Sequence, residues 1–369
     1  MKKLSALLLS LILVVTMITG CGSKSSQTNG DATTATVEPT TAAATTEDTA
    51  ATEEETASTG TPVKTGLAVI NDISSSTSAT ADADGVNQTN SVVVAVTVGQ
   101  DGKILDCKLD MAQTKINFSK EGKLTTSAES FKSKQELGAD YGMKSASGIG
   151  KEWFEQANAF ADYVTGKTVD EVKGIAVNEE GVPTDADLAS SVTVHIGDFV
   201  AAVEKAVANA QDLGATDADK LGLGVTTNME NSKDAAADAD GVAQAYSYYI
   251  VTTSDATGKI TSCLIDASQG IVNFDATGKI TNDITVAPQT KDELKEAYGM
   301  KKASGLGKEW YEEANTFAQY AVGKTVDELK GIAVNEEGAP TTADLTSSVT
   351  IDIKNFVTSI EKAVANSAQ

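Results

Sequence analysis

The stretch that decides the fold reads SVVVAVTV and spans residues 91–98. It is rich in valine, residues 99–102 supply a turn, and residues 104–109 follow with alternating apolar and polar side chains. Two such runs joined by a glycine-containing turn predict a β-hairpin. Residues 116–126 predict a second, shorter hairpin around Gly122.

Two helices are predicted after the strands. Residues 152–164 carry a stripe of apolar side chains at helical spacing, which are Trp153, Ala157, Phe160 and Val164. Gly166 follows, at the position where a glycine often ends a helix. Residues 199–207 predict a further helix. Strands followed by helices indicate an α+β fold with an antiparallel sheet packed against helices.

This pattern occurs twice in the chain. DADG at residues 82–85 recurs 156 residues later, and YGMK at residues 141–144 recurs 157 residues later, so one residue was inserted or lost between the blocks. About 50 of the 69 positions from Tyr141 to Asn209 are identical in the second copy. A repeat of this length indicates two whole domains rather than a solenoid of short units.

The duplication predicts domain boundaries. We expect two duplicated domains, residues 65–212 and residues 219–369, each able to fold alone. Residues 210–220 are interpreted as a short polar connector between them.

Composition excludes several classes of function. The chain has 29 Lys and Arg against 52 Asp and Glu, a formal charge of -23, so it lacks the basic surface that nucleic acid requires. It has 1 histidine and 3 cysteines, too few for a zinc site built on those residues or for a disulfide framework. We therefore expect no nucleic-acid partner and no metal site.

Residues 1–20 resemble the signal peptide of a bacterial lipoprotein. Two lysines precede an apolar run at residues 4–18, which is short for a membrane span but typical of a signal h-region. The run ends in ITGC, which resembles the lipobox, whose cysteine, here Cys21, receives a diacylglyceryl thioether. We expect anchoring to the outer face of a cytoplasmic membrane. The alternative is an ordinary signal peptide followed by an unrelated cysteine.

Residues 21–64 then predict a lipidated cysteine and a disordered tether. Thr, Ala, Ser and Glu dominate after Cys21, with only Val37 and Val63 as large aliphatic residues. Such a composition buries too little apolar surface to offset the entropy of ordering.

Two short motifs are better explained by local structure than by ligands. GKT at residues 166–168 resembles the end of a P-loop, but Ala161 stands where the leading glycine belongs, and the segment follows a helix. TVDE at residues 168–171 instead predicts a capping box. DADG at residues 82–85 lacks the carboxylates of a calcium loop and predicts a tight turn.

Four further residues carry structural interpretations. Cys107 and Cys263 are predicted to be small buried apolar residues on strands. His195 is replaced by an aspartate in the second copy and is predicted to lie at the surface. Trp153 and its counterpart Trp310 are predicted to pack in the core, with ligand contact as the alternative.

The most informative motif lies late in each copy. It reads DLASSVT at residues 187–193 and DLTSSVT at residues 344–350, and each is followed by a helical pattern. The motif resembles D-x-x-[ST]-G-A-[ST], the flavinylation motif of the FMN-binding domain family, which includes extracellular electron-transfer lipoproteins of Gram-positive bacteria. The resemblance extends over the strands and terminal helix of each copy, about 145 residues.

The resemblance implies a cofactor, partners and site residues. In this family the last threonine forms a phosphoester with FMN, installed by an FMN transferase that uses FAD. Carried over, the acceptors are Thr193 and Thr350. The other motif positions form the predicted cofactor site: Asp187, Ser190, Ser191, Asp344, Ser347 and Ser348. A hydroxyl near the start of a helix suits a phosphate, because exposed N–H groups and the helix dipole favour the anion.

The implied function is electron transfer at the cell surface. We expect a carrier, rather than a turnover enzyme, that passes electrons from a membrane quinone oxidoreductase to an extracellular acceptor. The sequence departs from the family motif, because Ser191 and Ser348 replace glycine and Val192 and Val349 replace alanine. Two alternatives remain: the motif is a strand with solvent-facing hydroxyls, or the chain is a non-redox surface binding or adhesion lipoprotein that retains the duplicated fold without cofactor.

Overall fold

A computed structural model describes residues 60–367. Residues 1–59, which include the predicted signal peptide, Cys21 and most of the predicted tether, lie outside the described residues. The described residues belong to one compact unit and contain both copies. None of their helices is long and apolar enough to cross a membrane.

In the described part of the chain, eight strands form two antiparallel four-stranded sheets, with orders β3-β2-β1-β5 and β4-β6-β7-β8. The strands are β1 (Pro62–Asp72), β2 (Gly85–Val98), β3 (Ile104–Phe118), β4 (Ser130–Phe131), β5 (Gln211–Thr216), β6 (Lys220–Asn228), β7 (Gly241–Ser254) and β8 (Ile260–Phe274). The mixed fold with antiparallel sheets is confirmed; β1, β2 and β3 have counterparts in β6, β7 and β8, whereas β4 and β5 have none among the described residues of the second copy.

Within residues 60–367, ten α-helices accompany the sheets. They are α1 (Lys134–Leu137), α2 (Trp153–Val164), α3 (Val169–Lys173), α4 (Ala186–Ala189), α5 (Gly197–Ala208), α6 (Lys291–Leu294), α7 (Trp310–Ala321), α8 (Val326–Lys330), α9 (Ala343–Thr346) and α10 (Lys354–Asn366). The predicted helices over 152–164 and 199–207 are confirmed as α2 and α5. The stripe on α2 is buried, and the capping box at Thr168 is present.

The valine run of β2 is buried on both of its faces. Val92, Val94 and Val96 pack against the helices of copy 1, whereas Val93 and Ala95 face the other sheet. Copy 2 repeats this arrangement on β7, so the layers run helix, sheet, sheet, helix. The predicted hairpin is confirmed as β2 and β3, and it extends beyond the predicted residues to Gly85 and Phe118.

The two copies contact each other through reciprocal pairs. The rings of Phe118 and Phe274, equivalent residues at the ends of β3 and β8, stack with centroids 4.2 Å apart and planes 4° apart. Other contacts occur twice with the copies exchanged. The ion pair of Lys205 with Glu293 is matched by that of Lys362 with Glu136. The Ala79 N–H donates to the Gly278 carbonyl, and the equivalent Ala235 N–H donates to the Gly122 carbonyl. Reciprocity of this kind is the signature of an approximate two-fold axis.

Three expectations about strands need correction. The second hairpin is confirmed only in part, because the chain reverses around Gly122 and Phe118 bridges Leu124, but residues 123–126 do not form a strand. The predicted tether overlaps β1, which begins at Pro62 and buries Val63. Residues 211–216, predicted as part of a connector, form β5 and pair with β1. Independent folding of residues 65–212 and 219–369 stays a prediction.

Glycines let the long terminal helices approach the sheets closely. A Cβ on Gly66 of β1 would lie 2.1 Å from the Ala206 carbonyl oxygen of α5, and one on Gly222 of β6 would lie 1.9 Å from that of Ala363. The obstacle is helix backbone, which cannot rotate away. These positions therefore fix how α5 and α10 lie across the sheets.

Candidate functional site

The motif that suggests flavin attachment does not form a strand. In copy 1, Asp185 caps the short helix α4 by accepting the N–H groups of Asp187 and Leu188. Leu188 is buried, and Thr193 follows after a turn. The alternative interpretation of the motif as a β-strand is therefore wrong.

Thr193 is held by one side chain of α2. Its N–H and its Oγ1 both donate to Oε1 of Gln156, over 2.8 Å and 3.2 Å. Gln156 is fully buried, and its Nε2 donates to Ser147 Oγ and to the Lys151 carbonyl. These bonds orient the amide so that its oxygen faces Thr193. The threonine hydroxyl thus has a fixed position at a half-buried site.

Thr350 is held in the same way but by a carboxylate. Its N–H donates to Glu313 Oε2 over 2.6 Å, and its Oγ1 lies 3.0 Å and 3.2 Å from the two carboxylate oxygens. Glu313 is fully buried and also accepts from Ser304 Oγ. Lys308 Nζ donates to the Ser348 carbonyl, so one cation lies near this motif. The two threonines therefore differ by one negative charge beside the hydroxyl.

The other motif residues do not contact the threonine hydroxyls. Ser190 Oγ donates to the Asp187 carbonyl, and Ser348 Oγ donates to the Leu345 carbonyl, so these hydroxyls serve local turns. The remaining predicted site residues are exposed or half-buried at the surface: Asp187, Ser191, Asp344 and Ser347. Of these four, the serine hydroxyls can donate to a phosphate, whereas the two aspartates would repel it.

The valines that replace alanine in the motif point inward. Val192 and Val349 are 0% and 1% exposed and belong to the cores that the helices cover. Their extra bulk therefore occupies core space and does not cover the threonine hydroxyls.

The helix N-terminus predicted to favour a phosphate lies near each threonine but is partly occupied. α5 begins at Gly197, four residues after Thr193, and the Gly197 N–H already donates to Nδ1 of His195. In copy 2 the Lys354 N–H donates to Asp352 Oδ1 in the same way. His195 is exposed as predicted, and it shares a capping role with the aspartate that replaces it.

Sequence reasoning missed Gln156 and Glu313, the partners of the two threonines. Both lie inside a block that is otherwise nearly identical in the two copies, KEWFEQAN at residues 151–158 and KEWYEEAN at residues 308–315. The sequence signal was the change from glutamine at 156 to glutamate at 313 within this nearly identical block.

Each copy also buries a lysine against aromatic rings. Lys134 Nζ lies 4.5 Å and 5.0 Å from the ring centroids of Tyr141 and Trp153. Desolvation lowers the pKa of Lys134 to about 8, and the nearby Asp110 opposes that change. Trp153 packs in the core as predicted, edge-on to Phe199.

In copy 2 the corresponding Lys291 has three aromatic neighbours. Its Nζ lies 4.5 Å, 4.3 Å and 4.8 Å from the rings of Tyr246, Tyr298 and Trp310. The ammonium also donates to the Tyr246 hydroxyl. Burial lowers the pKa of Lys291 to about 7. The cage of copy 2 is thus closed by a tyrosine at a position where copy 1 has Asn90.

A buried aspartate lies beside each lysine. Asp110 accepts the N–H groups of Met111 and Gln135, and Asp266 accepts those of Ala267 and Asp292. Desolvation raises the pKa of Asp110 to about 6 and that of Asp266 to about 7. Both carboxyls line equivalent clefts between the copies, of about 330 Å³ and 240 Å³.

The cysteines are structural within this part of the chain. Cys107 and Cys263 are each 4% exposed and unpaired, as predicted. Burial raises the pKa of both thiols, to about 12 for Cys263, so neither forms a reactive thiolate. Residues 60–367 contain no cluster of three or more His, Cys, Asp or Glu residues that would hold a metal ion.

Comparison with known proteins adds little to this geometry. No family model matches the chain, and no solved structure matches it. A stretch of 42 residues is 48% identical to chlorophenol reductase from Desulfitobacterium hafniense, covering 11% of this chain and 13% of that protein. The chain is therefore similar to that protein only over a short segment.

Proposed function

We propose that this protein is a surface electron carrier with FMN attached covalently to Thr193 and Thr350. The observation that supports the proposal is that both hydroxyls are held at equivalent surface positions by a buried residue of the neighbouring helix. A side chain that must accept one large group in one orientation benefits from such fixation. The proposal also rests on the resemblance of DLASSVT and DLTSSVT to the flavinylation motif.

The attachment step is a phosphoryl-group transfer from FAD. Thr193 Oγ1 bonds to the phosphorus of the FMN moiety, the anhydride bond breaks, and AMP leaves with its bonding electrons. The neutral Gln156 amide accepts a hydrogen bond but does not take the hydroxyl proton, which passes to the transferase. Bound FMN would supply reversible electron transfer, while the protein supplies attachment and orientation.

The polar groups at the motif surface fit a phosphate in part. Ser191 and Ser347 offer hydroxyl donors, and the inward-pointing valines leave the threonines accessible. Glu313 fits less well, because its carboxylate would face a phosphodiester anion at Thr350. We therefore expect Thr193 to be the preferred site.

The proposal places the protein on the outer face of a cytoplasmic membrane. The lipobox-like ITGC sequence supports a lipid anchor at Cys21, and electrons would then arrive from a membrane dehydrogenase through quinol. A Cys21→Ala variant should accumulate as precursor or leave the membrane. Recovery of that variant in the membrane fraction at mature size would contradict the anchor.

Intact mass after co-expression with an FMN transferase tests the cofactor. The wild type should gain up to two FMN phosphoester increments, and Thr193→Val with Thr350→Val should remove them while keeping the branched shape of threonine. Serine variants at the same positions, which keep the hydroxyl, are the matched control. A wild type without any increment beside an active transferase would overturn the flavoprotein proposal.

A non-redox binding protein is the second candidate, and the Glu313 contact favours it. A fully buried carboxylate that accepts from Thr350 Oγ1 already satisfies this hydroxyl as a structural group. If the transferase experiment gives no increment at either threonine, this candidate replaces the electron carrier.

A further inference from the structure

One cavity lined by copy 1 residues contains three lysines. It has a volume of about 420 Å³ and lies beside the caged lysine Lys134. Its wall is formed by Gln113, Lys115, Ser130, Phe131, Lys132, Lys134, Leu137 and Tyr141. Three of these eight residues are lysines, in a chain whose formal charge is -23.

The buried lysine lacks a hydrogen-bond acceptor. Lys134 is 6% exposed, its Nζ lies over the rings of Tyr141 and Trp153, and its nearby opposite charge is the buried Asp110, with no acceptor among residues 60–367 in hydrogen-bond contact with Nζ. The ammonium is open to the cavity rather than sealed in the core, so a ligand there can reach it. Its counterpart Lys291 has an acceptor, the Tyr246 hydroxyl. The cavity is therefore the place where Lys134 can meet an acceptor from outside the chain.

The copies differ at the residues that make this cavity. Asn90 stands where Tyr246 closes the cage of copy 2, and it accepts from Gln113 at the cavity wall. Lys115 and Lys132 correspond to Ile271 and Gln289 in copy 2. Copy 1 thus has both an open space and two additional cations around it.

The wall chemistry defines the ligand. Ammonium groups bind carboxylate or phosphate oxygens through charge-assisted hydrogen bonds. Phe131, Leu137 and Tyr141 offer apolar surface on the same cavity. A small inorganic anion would satisfy the lysines but leave these side chains uncovered.

We propose that this cavity is a binding site for a small organic anion, in which the three lysines hold a carboxylate or phosphate group and the aromatic residues cover an apolar body. The site is separate from the two threonines and does not depend on flavin attachment. It is a specific consequence of the divergence between the two copies.

Calorimetric titration of the whole chain tests the site. The probes are benzoate and phenyl phosphate, which share an aromatic body but differ in the anion, with inorganic phosphate as the probe that lacks the body. At least one aromatic probe should bind saturably and more tightly than inorganic phosphate. Equal affinity for all three, or no saturable binding, would overturn the proposal.

Copy 2 supplies the control substitutions. Lys115→Ile with Lys132→Gln introduces the copy 2 residues at exposed positions and should weaken binding by roughly tenfold or more. Asn90→Tyr should close the cavity as Tyr246 does and abolish binding. If Asn90→Tyr fails to fold, the exposed double variant still decides. Unchanged affinity in the double variant would place binding elsewhere.

Fluorescence locates the ligand. Each copy has one tryptophan, so Trp310→Phe leaves Trp153, whose ring lies 5.0 Å from Lys134 Nζ, as the single reporter. Adding the probe should change the emission of Trp153, and the affinity obtained from that change should match the affinity measured by calorimetry. A response that appears only in the Trp153→Phe variant would assign the ligand to copy 2 and contradict the proposal.

Discussion

Removing the ring of Phe118 should destabilise both copies at once. This side chain is fully buried and stacks on Phe274, so each ring is part of the other copy's environment. Truncation of a buried phenylalanine to alanine costs about 3–5 kcal/mol of unfolding free energy. A stacked aromatic pair contributes about 0.5–1.5 kcal/mol beyond its buried area. The losses of unfolding free energy in Phe118→Ala and Phe274→Ala, added together, should therefore exceed the loss in the double variant.

Urea unfolding with one tryptophan in each copy measures this coupling. In a Trp310→Phe background Trp153 reports on copy 1, and in a Trp153→Phe background Trp310 reports on copy 2. Phe118→Ala should lower both midpoints equally, because the two sheets share a core and unfold as one cooperative unit. Leu105→Ala, at a position 39% exposed, is the surface control and should move neither midpoint.

A midpoint for Trp310 that stays unchanged when Phe118 is truncated would refute this reasoning. It would show that the copies unfold separately, as the duplication alone predicts. If Phe118→Ala is too unstable to study, Phe118→Leu removes the stacking with a smaller loss of volume and answers the same question.

Three further predictions concern titration, charge and backbone packing. Burial raises the pKa of Asp110 from 3.8 to about 6, so the folded state binds this proton more tightly than the unfolded state does. Relative to Asp110→Asn, the wild type should lose up to about 3 kcal/mol of unfolding free energy as pH rises from 3.8 to about 6, and little beyond, as urea titrations at several pH values would show; a constant difference would contradict the shift. Glu313→Gln should raise FMN incorporation at Thr350 towards the level at Thr193, whereas Gln156→Glu should lower incorporation at Thr193. Peptide mass mapping measures both; if neither changes, the carboxylate does not disfavour a phosphodiester at the threonine beside it. Gly222→Ala should lower the unfolding free energy by about 1–3 kcal/mol because its Cβ would meet the α10 backbone. Gly148→Ala, with open space around it, should not. Equal thermal midpoints for the two variants would refute the close approach of α10 to β6.

The sequence predicted the elements that depend on local patterns. The hairpin of β2 and β3 and the apolar stripe of α2 follow from spacing alone, because each period is repeated several times within one segment. β5 was missed because QDLGAT has no alternation, and its pairing with β1 exists only in the folded chain.

The shared core was missed although a signal was present. Alternation is expected when one face of a strand is solvated, whereas an unbroken apolar run indicates burial on both faces. Residues 92–96 form such a run, and the YYIV sequence at residues 248–251 does so in copy 2. The partners of the two threonines depend on tertiary packing, because Gln156 and Thr193 are 37 residues apart in sequence.

The reciprocal contacts between the copies have a consequence for dilution. Two separate chains with such an interface would dissociate as their concentration fell, because their association is bimolecular. Here β5 and the chain around it connect the copies, so their association is intramolecular and does not depend on protein concentration. The pair of sheets therefore stays assembled however few molecules a cell makes.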